Sequence, residues 1–297
     1  MQDKQYTCIY HAKCPDGFAA AWVVFRALGP QVEFIPAKYG DTLPEITGKH
    51  VIIVDFSYSA GVMDAALKQA ASLLVLDHHA SAEKNLEHLI FKGDWPSARD
   101  EWDDVKGKGG GVCLFDMSRS GAQMTWDFFF PDVDTPKLIS YVQDRDLWQH
   151  KLEKTKAINE WIMSFEQSLM TFDFLDITLE DPDGFEEAVA CGESIRRSKD
   201  HIIAMTIEDG LKMMKIGGID MPVVNVPHVL ASDTADMLKS NHPVAATYVD
   251  IPEGRRFSIR ARSDNEIDVT DIVGPYGGGG HKKAGGVTMP HGWMGEE

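Results

Sequence analysis

Three consecutive residues whose side chains bind metals, Asp77-His78-His79, follow directly after the apolar run 73–76. Four apolar residues in a row, Leu-Leu-Val-Leu, are typical of a short strand that is buried on both faces of a sheet. In an open α/β sheet, ligands bind at the C-terminal ends of the strands. A carboxylate and two imidazoles there supply the oxygen and nitrogen donors that suit Mn²⁺, Zn²⁺ or Fe²⁺. Taken alone, the same residues also fit a helix cap followed by two solvated histidines. The residues at the other strand ends distinguish the metal site from this alternative.

The first predicted strand leads into a second group of candidate ligands. Strand 6–10 is followed by the turn 11–17, before an apolar helix from residue 18 to about residue 28. A strand, a turn and a helix in this order form the βα unit of a parallel sheet. The turn at the end of this strand carries three candidate ligands: His11, Cys14 and Asp16. Asp16 could instead serve only as the N-cap of the helix.

Two further acidic positions extend this pattern. The run 51–54 is a clear strand that ends in Asp55, and a predicted helix from residue 137 to about residue 142 runs into Asp144-Arg145-Asp146. Carboxylates that lie close together without a cation repel one another. Several acidic residues at the ends of strands and helices in one α/β domain therefore predict a shared cation. A structural ion pair of Arg145 with a neighbouring aspartate is the alternative explanation of the last cluster.

Two segments with small residues are candidates for binding anions. Gly278, Gly279 and Gly280 lie in a run of four glycines, with His281 and two lysines directly after it. Glycines let the backbone approach a ligand closely and turn its N–H groups towards an anion, which predicts phosphate binding, although a glycine run can also be a flexible linker. The helix start Ser120-Gly121-Ala122 can present backbone N–H groups to an anion, or be only a cap.

Composition narrows the class of protein. The chain has 297 residues, 43% hydrophobic and 25% charged, and a formal net charge of −17. This composition is typical of an ordinary globular protein, and the negative charge favours small phosphorylated substrates over long nucleic acids. The start of the chain shows no signal peptide, no apolar run is long enough to span a membrane, and four cysteines form no CxxC pair. We therefore expect a cytoplasmic protein with no membrane partner.

The order of predicted elements indicates an α/β fold in two domains. Strands alternate with helices up to the turn 181–184, which is a candidate boundary, and residues 91–112 are interpreted as an irregular surface excursion. We expect an N-terminal domain with a parallel sheet over residues 1–183. A helical connector over 184–210 would join it to a smaller α/β domain over 211–297.

Together these motifs resemble the DHH phosphoesterase superfamily with its DHH-associated C-terminal domain, in the oligoribonuclease and phosphoesterase branch. The resemblance depends on Asp77-His78-His79 after an apolar strand, on Asp16-Gly17 after the first strand, and on Gly278-Gly279-Gly280-His281 near the end of the chain. Asp55 at a strand end and Asp144 further along occur in the order of that family. RecJ-like exonucleases and family II inorganic pyrophosphatases resemble the chain more distantly.

The resemblance implies two Mn²⁺ ions, with Zn²⁺, Fe²⁺ or Mg²⁺ as alternatives, and a substrate held between two domains. It implies the metal ligands Asp16, Asp55, His78 and Asp144, with Asp55 as the bridge. It further implies that Asp77 orients a histidine ligand and that His79 contacts the phosphate. Arg260, His281 and the glycines before it would bind phosphate from the C-terminal domain.

One position departs from the family pattern. The first motif of the family commonly reads His-x-Asp-x-Asp-Gly, and here Cys14 replaces the first aspartate. A thiolate suits Zn²⁺ or Fe²⁺ better than Mn²⁺. The first metal site therefore either uses His11 and Cys14 as ligands or holds its ion weakly.

The expected activity is metal-dependent hydrolysis of small phosphoesters, above all short oligonucleotides or nucleotide phosphates. The alternatives within the same chemistry are hydrolysis of polyphosphate, pyrophosphate or cyclic dinucleotides. A catalytically silent nucleotide-binding regulatory protein is the alternative from another class, and Cys14 is the feature that favours it. The sequence leaves a homodimer open.

Overall fold

Short apolar segments build a parallel sheet in the first part of the chain. The computed structural model describes residues 5–106 and 108–296. In order along the chain, the strands of this sheet are β1 Tyr6–His11, β2 Val32–Ala37, β3 His50–Val54, β4 Ser72–Asp77 and β5 Gly111–Phe115. All neighbouring strands run parallel, in the order β2-β1-β3-β4-β5. The predicted parallel sheet is therefore confirmed.

Helices cover both faces of this sheet, which is why its central strands are apolar throughout. Helix bounds are α1 Pro15–Leu28, α2 Ala60–Gln69, α3 Ala80–Asn85, α4 Trp95–Val105, α5 Gly121–Phe129, α6 Lys137–Asp146, α7 Thr155–Met163, α8 Leu169–Glu180 and α9 Pro182–Gly210. Alternate residues of β3 and β4 enter different cores: Ile52 and Leu74 pack with α1, whereas Ile53 and Val75 pack with α2. This alternation follows from the two-residue period of a strand.

The strand order places a crevice between β1 and β3. The chain leaves β1 through α1 towards β2, and leaves β3 through α2 towards β4, on the opposite side of the sheet. Ligands of doubly wound sheets bind at such a point, because the two connections diverge there and leave room at the strand ends. The candidate ligands of the first and third strands lie at this crevice.

A second, mixed sheet forms the end of the chain. Its elements are β6 Lys212–Ile216, β7 Ile219–Asn225, α10 Ala231–Leu238, β8 Val244–Ile251, β9 Gly254–Ala261, α11 Val269–Val273, β10 Gly279–His281 and β11 Ala284–Met289. The order is β10-β11-β9-β8-β7-β6, in which β7 and β8 are parallel and the other pairs are antiparallel. This confirms the α/β fold class, with a helix-bearing second sheet.

The chain divides into two compact units, Met1–Arg196 and Arg197–Glu297. The division falls inside α9, so the sequence-based domain bounds at residues 183 and 211 stay predictions. Residues 1–4, 107 and 297 of those predicted domains lie outside the described residues.

Two sequence-based expectations were wrong. The segment expected to be an irregular excursion contains α4, which Asp94 caps by accepting a hydrogen bond from the backbone N–H of Ser97. Trp102 and Val105 of this helix are buried, so its apolar face packs on the core despite its polar composition. The expected turn at 181–184 is the start of α9, where Asp181 accepts a hydrogen bond from Gly184 N–H and Pro182 fits the first helical turn.

Among the described residues, we find no helix with the length and apolar character that spanning a membrane requires.

Close packing of helices makes Gly192 of α9 a sensitive position. A Cβ atom there would lie 1.9 Å from the carbonyl oxygen of Ala157 in α7. We expect Gly192→Ala to lower the free energy of unfolding by about 1–3 kcal/mol, because the two helices would have to move apart. Chemical denaturation of the purified protein measures this change.

Gly61 of α2 is the matched control, because no atom lies within 4 Å of the Cβ that an alanine would add there. Gly61→Ala should raise the free energy of unfolding by about 0.5–1 kcal/mol, since alanine loses less backbone entropy in a helix. Equal effects of the two substitutions would contradict the packing described for α7 and α9.

Candidate metal centre

Asp16 is buried at the start of α1, and a second helix holds its carboxylate. Its side chain is 1% exposed, and both carboxylate oxygens accept backbone hydrogen bonds from the first residues of α5. Gly121 N–H donates to Oδ2 at 2.6 Å and Ala122 N–H donates to Oδ1 at 3.1 Å. The predicted anion at the helix start Ser120-Gly121-Ala122 is thus the Asp16 carboxylate itself. These N–H groups at the helix start have no partner within α5, and together with the helix dipole they stabilise the negative charge of Asp16.

Asp55 follows β3 and lies between two histidines. Its backbone has a φ of 54°, in the left-handed region, and its side chain is 1% exposed. The Oδ1 atom lies 3.0 Å from Nε2 of His78, and the Oδ2 atom lies 3.4 Å from Nδ1 of His11. One buried carboxylate therefore contacts imidazoles from two different strand ends.

Two groups of three potential ligands meet at Asp55. One group consists of His11, Asp55 and His79, and the other consists of Asp16, His78 and Asp146. Within each group the ligand atoms lie within 4.8 Å of one another. His78 joins the groups, since its Nε2 atom lies 3.0 Å from Asp55 and 3.5 Å from Asp146. The predicted candidates His11, Asp16, Asp55, His78 and His79 therefore come together.

The structure places Asp144 apart from the other predicted ligands. Its Oδ1 and Oδ2 atoms accept hydrogen bonds from the backbone N–H groups of Lys151 and Leu152, and it belongs to neither ligand group of the described residues. Asp146 faces His78 instead, with a side chain that is 25% exposed. Two residues along a helix are about 200° apart around its axis, so only one of the two aspartates can face the centre. The two-residue spacing of Asp144 and Asp146 on a predicted helix could have indicated that only one of them faces the centre.

Asp77 orients the second histidine of the motif. Its Oδ1 atom lies 2.7 Å from Nδ1 of His79 and accepts hydrogen bonds from the backbone N–H groups of His78 and His79. Its Oδ2 atom accepts a hydrogen bond from Ser57 Oγ at 2.5 Å. Asp77 thereby fixes the ring of His79 and the backbone at His78, which is the behaviour of a carboxylate that supports a ligand.

Cys14 faces the centre but stands outside both ligand groups. It is partly buried at the N-cap position of α1, and burial together with the negative charges of Asp55, Asp146 and Asp16 raises its pKa well above the usual range. The thiol is therefore protonated at neutral pH in this arrangement. Its assignment as a metal ligand stays a prediction.

The carboxylates and imidazoles perturb one another strongly. Burial disfavours the charge of His78, but the hydrogen bond to Asp55 and the charge of Asp146 outweigh it and raise the pKa of His78 to about 10. Burial and the charges of Asp55 and Asp146 raise the pKa of Asp16. Burial also opposes the charge of Asp55, but the imidazoles of His11 and His78 outweigh it and hold its pKa below the usual range. Such opposed shifts among neighbouring groups are typical of functional sites.

The donor set fits divalent cations. His11 Nδ1 and Asp55 Oδ2 are buried atoms without a hydrogen-bond partner among the described residues, although they lie only 3.4 Å apart. Buried polar atoms without a partner are rare, and a bound ion is one of their ordinary explanations. Mixed carboxylate and imidazole ligands suit Mn²⁺, Zn²⁺ and Fe²⁺.

The predicted phosphate-binding residues lie in the second unit. Arg260 of β9 pairs with Ala284, and Ala284 pairs with His281, so Arg260 and His281 share one face of the sheet with a small side chain between them. Arg260 also donates to Ser232 Oγ at 3.2 Å. Burial lowers the pKa of Arg260 from its very high ordinary value.

The glycine run forms a hairpin strand rather than a loop. Gly279 and Gly280 of β10 pair with Gly286 and Gly285 of β11. A Cβ atom at Gly280 would lie 2.3 Å from the carbonyl oxygen of Ala284, and one at Gly278 would lie 2.5 Å from that of Gly286. Gly278 and Gly280 are thus required by the close approach of the two strands, whereas a Cβ at Gly279 would meet no atom within 4 Å. The binding of phosphate by these glycines stays a prediction.

Comparisons with known proteins give similarities to a curated protein and to several solved structures. No family model matches it. The uncharacterized protein R106 of Acanthamoeba polyphaga mimivirus is 26% identical over 312 residues, which cover 97% of this chain and 68% of that protein.

Solved structures with a similar arrangement include a pGpG-specific phosphodiesterase, PggH, from Vibrio cholerae, with a TM-score of 0.46, 13% identity, and coverage of 97% of this chain and 94% of that chain. The Mn²⁺ complex of RecJ from Thermus thermophilus has a TM-score of 0.46 and 11% identity, over 96% of this chain and 50% of that one. An exopolyphosphatase-related protein from Bacteroides fragilis has a TM-score of 0.41 and 12% identity, over 97% of this chain and 88% of that one. At this level of similarity, the activity of this chain has to be inferred from its own residues.

The two aspartates of α6 provide a test of the metal centre. We expect Asp146→Asn to weaken Mn²⁺ binding at least tenfold, because it removes a charged ligand. Substitution of a residue that only supports a ligand typically lowers metal affinity by about 10–100-fold, so the loss of a ligand should cost at least as much. Isothermal titration calorimetry with Mn²⁺ measures the affinity.

Asp144→Asn is the matched control for that experiment. It should leave the Mn²⁺ affinity within about twofold, while lowering the melting temperature because one of the two backbone hydrogen bonds is lost. A large loss of Mn²⁺ affinity in Asp144→Asn, with none in Asp146→Asn, would contradict the assignment of Asp146.

Proposed function

We propose that this chain is a metal-dependent phosphoester hydrolase of the DHH type, acting on small phosphoesters such as short oligonucleotides or nucleotide phosphates. The observation that carries the proposal is the pair of ligand groups that meet at the buried carboxylate of Asp55. Both groups lie at the crevice of the parallel sheet, where this type of fold binds ligands.

The residues divide into two sets of ligands. In the first group, His11 and Asp55 would hold one divalent cation, and His79 is reserved for the phosphate. Asp16, His78 and Asp146 of the second group would hold another cation, with Asp55 as a shared ligand 3.0 Å from His78. When bound, such cations lower the pKa of a water molecule towards neutrality and neutralise the negative charge of a phosphoryl group. Mn²⁺ is the ion we propose to test first, with Zn²⁺, Fe²⁺ and Mg²⁺ as alternatives.

The surrounding residues keep these ligands in place before any substrate arrives. The first turn of α5 binds both oxygens of Asp16 and so favours the orientation in which this carboxylate lies 3.9 Å from Nε2 of His78. Rigid donors at the position where charge develops stabilise a transition state without a reorganisation cost.

His79 is proposed to contact the phosphate. Its Nδ1 atom is hydrogen-bonded to Asp77, which fixes the direction of the ring. Burial opposes the positive charge of the imidazole, but the hydrogen bond to Asp77 and the charges of Asp77 and Asp55 together outweigh it and raise the pKa of His79. A proton held on this ring can be donated to a phosphoryl oxygen as negative charge accumulates there.

In the second unit, Arg260 and His281 share one face of the sheet and are proposed as further phosphate-binding groups. Guanidinium groups bind phosphate oxygens in pairs, which suits Arg260 to this role.

The proposal is tested by hydrolysis of a panel of phosphoesters with Mn²⁺, namely dinucleotide RNA, 3′-phosphoadenosine phosphate, a cyclic dinucleotide, polyphosphate and bis-p-nitrophenyl phosphate. His78→Ala should lower kcat/KM at least about 100-fold, equivalent to about 2.7 kcal/mol, because it removes a ligand at the junction of the two groups. Product release is followed by chromatography or absorbance.

His88→Ala is the matched control, because His88 is half-exposed and pairs with Asp64 away from the ligand groups. It should retain the wild-type rate. The proposal would be contradicted by wild-type protein that hydrolyses no member of the panel with Mn²⁺, Zn²⁺, Fe²⁺ or Mg²⁺, or by equal rates for His78→Ala and wild type.

A further inference from the structure

A pocket with both polar and apolar surface adjoins the candidate metal centre in the first unit. Its volume is about 320 Å³, which is within the size range of small-molecule sites. The lining comes from the segment after β2, the segment after β3, and the helices α2 and α3: Tyr39, Gly40, Asp41, Ser57, Tyr58, Ser59, Val62, Ser81, Ala82 and Asn85. We refer to it as the Tyr58 pocket.

The Tyr58 pocket shares walls with the candidate centre. Ser57, which lines it, donates a hydrogen bond to Asp77, and Asp77 holds the ring of His79. The ring of Tyr39 lies 5.9 Å from that of His79 and 5.7 Å from that of His11, measured between centroids. A group attached to a phosphate at the centre would therefore find this pocket beside it.

Tyr58 lines this pocket with a buried hydroxyl that the described part of the fold does not pair. The residue is 6% exposed, and its hydroxyl has no hydrogen-bond partner among the described residues. Burial, with a smaller effect of Asp41, raises the pKa of Tyr58 to about 12, so the hydroxyl keeps its proton at neutral pH. A buried donor without a partner is costly, and a bound ligand that accepts its hydrogen bond removes that cost.

The charge of the lining selects the kind of occupant. Among the described residues that line the pocket there is a carboxylate, Asp41, and no lysine, arginine or histidine. A second phosphate group would be repelled by Asp41 and would find no cation. An uncharged group that carries hydroxyl, amide or ring nitrogen atoms matches the hydroxyls of Ser59 and Ser81 and the amide of Asn85.

We propose that the Tyr58 pocket binds the nucleoside part of the substrate, with the Tyr58 hydroxyl as a hydrogen-bond donor that determines specificity for nucleotides over inorganic polyphosphates. The inference rests on the proposed function, in that it takes the phosphate to lie at the metal centre. The partly exposed ring of Tyr39 at the pocket provides an aromatic surface on which a base can stack.

Binding to the Mn²⁺-loaded protein tests this inference without requiring turnover. Isothermal titration calorimetry would compare AMP, GMP, CMP and UMP with pyrophosphate on wild-type protein, Tyr58→Phe and Tyr6→Phe. The last is a control, because Tyr6 starts β1 at the opposite end of the strands from the centre. We expect Tyr58→Phe to weaken at least one nucleoside monophosphate about tenfold and to leave pyrophosphate unchanged.

Stability distinguishes recognition from a structural role. Because the hydroxyl has no internal partner, Tyr58→Phe should melt at the wild-type temperature or above it. The inference is overturned by a lowered melting temperature, by unchanged nucleotide binding in Tyr58→Phe, by an equal loss of pyrophosphate binding, or by wild-type protein that binds none of the four nucleotides.

Turnover separates this inference from the proposed function. If hydrolysis of the phosphoester panel depends on His78 but Tyr58→Phe binds nucleotides normally, the pocket assignment fails and the proposed function stands. If no phosphoester is hydrolysed but Tyr58→Phe weakens nucleotide binding selectively, the proposed function fails and the pocket binds nucleotides in a protein without that activity.

Discussion

The burial of two carboxylates close to each other is the constraint on which the rest of the first unit depends. Asp16 and Asp55 are both 1% exposed, and the charge of Asp55 contributes to raising the pKa of Asp16. Buried like charges are strongly unfavourable unless hydrogen bonds or cations compensate them. The structure supplies N–H groups from α5 on one side and imidazoles from two strand ends on the other, and a pair of divalent cations would complete the compensation.

This compensation explains features of the chain that would otherwise look unrelated. A Cβ atom at Gly121 would lie 2.5 Å from Cβ of Asp55, so only glycine lets α5 begin close enough to donate to Asp16. Asp55 itself occupies the left-handed region, which aspartate tolerates better than most residues. Strained backbone of this kind clusters at functional sites, because the surrounding packing maintains it.

The sequence predicted those parts of the fold that depend on local patterns. Apolar runs such as 73–76 identified the strands of the parallel sheet, since a strand buried on both faces has few polar residues. The helix α4 escaped prediction, because its apolar positions are few and a glycine-rich segment follows it. Contacts between distant parts of the chain could not be predicted either. Whether Asp144 or Asp146 faces the centre depends on which side of α6 faces the sheet.

The candidate site was predictable where a motif puts ligands next to one another, and less so where distant elements meet. His78 and His79 lie at a strand end that the apolar run reveals, whereas the partner of Asp16 is the start of a helix about a hundred residues away in the sequence. The Tyr58 pocket is formed by side chains from four segments with no shared motif. Its significance lies in an unpaired hydroxyl, which only the folded chain shows.

Anomalous scattering from Mn²⁺ in crystals of this protein tests the central claim most directly. We expect two peaks that share Asp55 as a ligand, one beside His11 and the other among Asp16, His78 and Asp146. Crystals without a peak at Asp55, or with Mn²⁺ bound only at other residues, would contradict that claim.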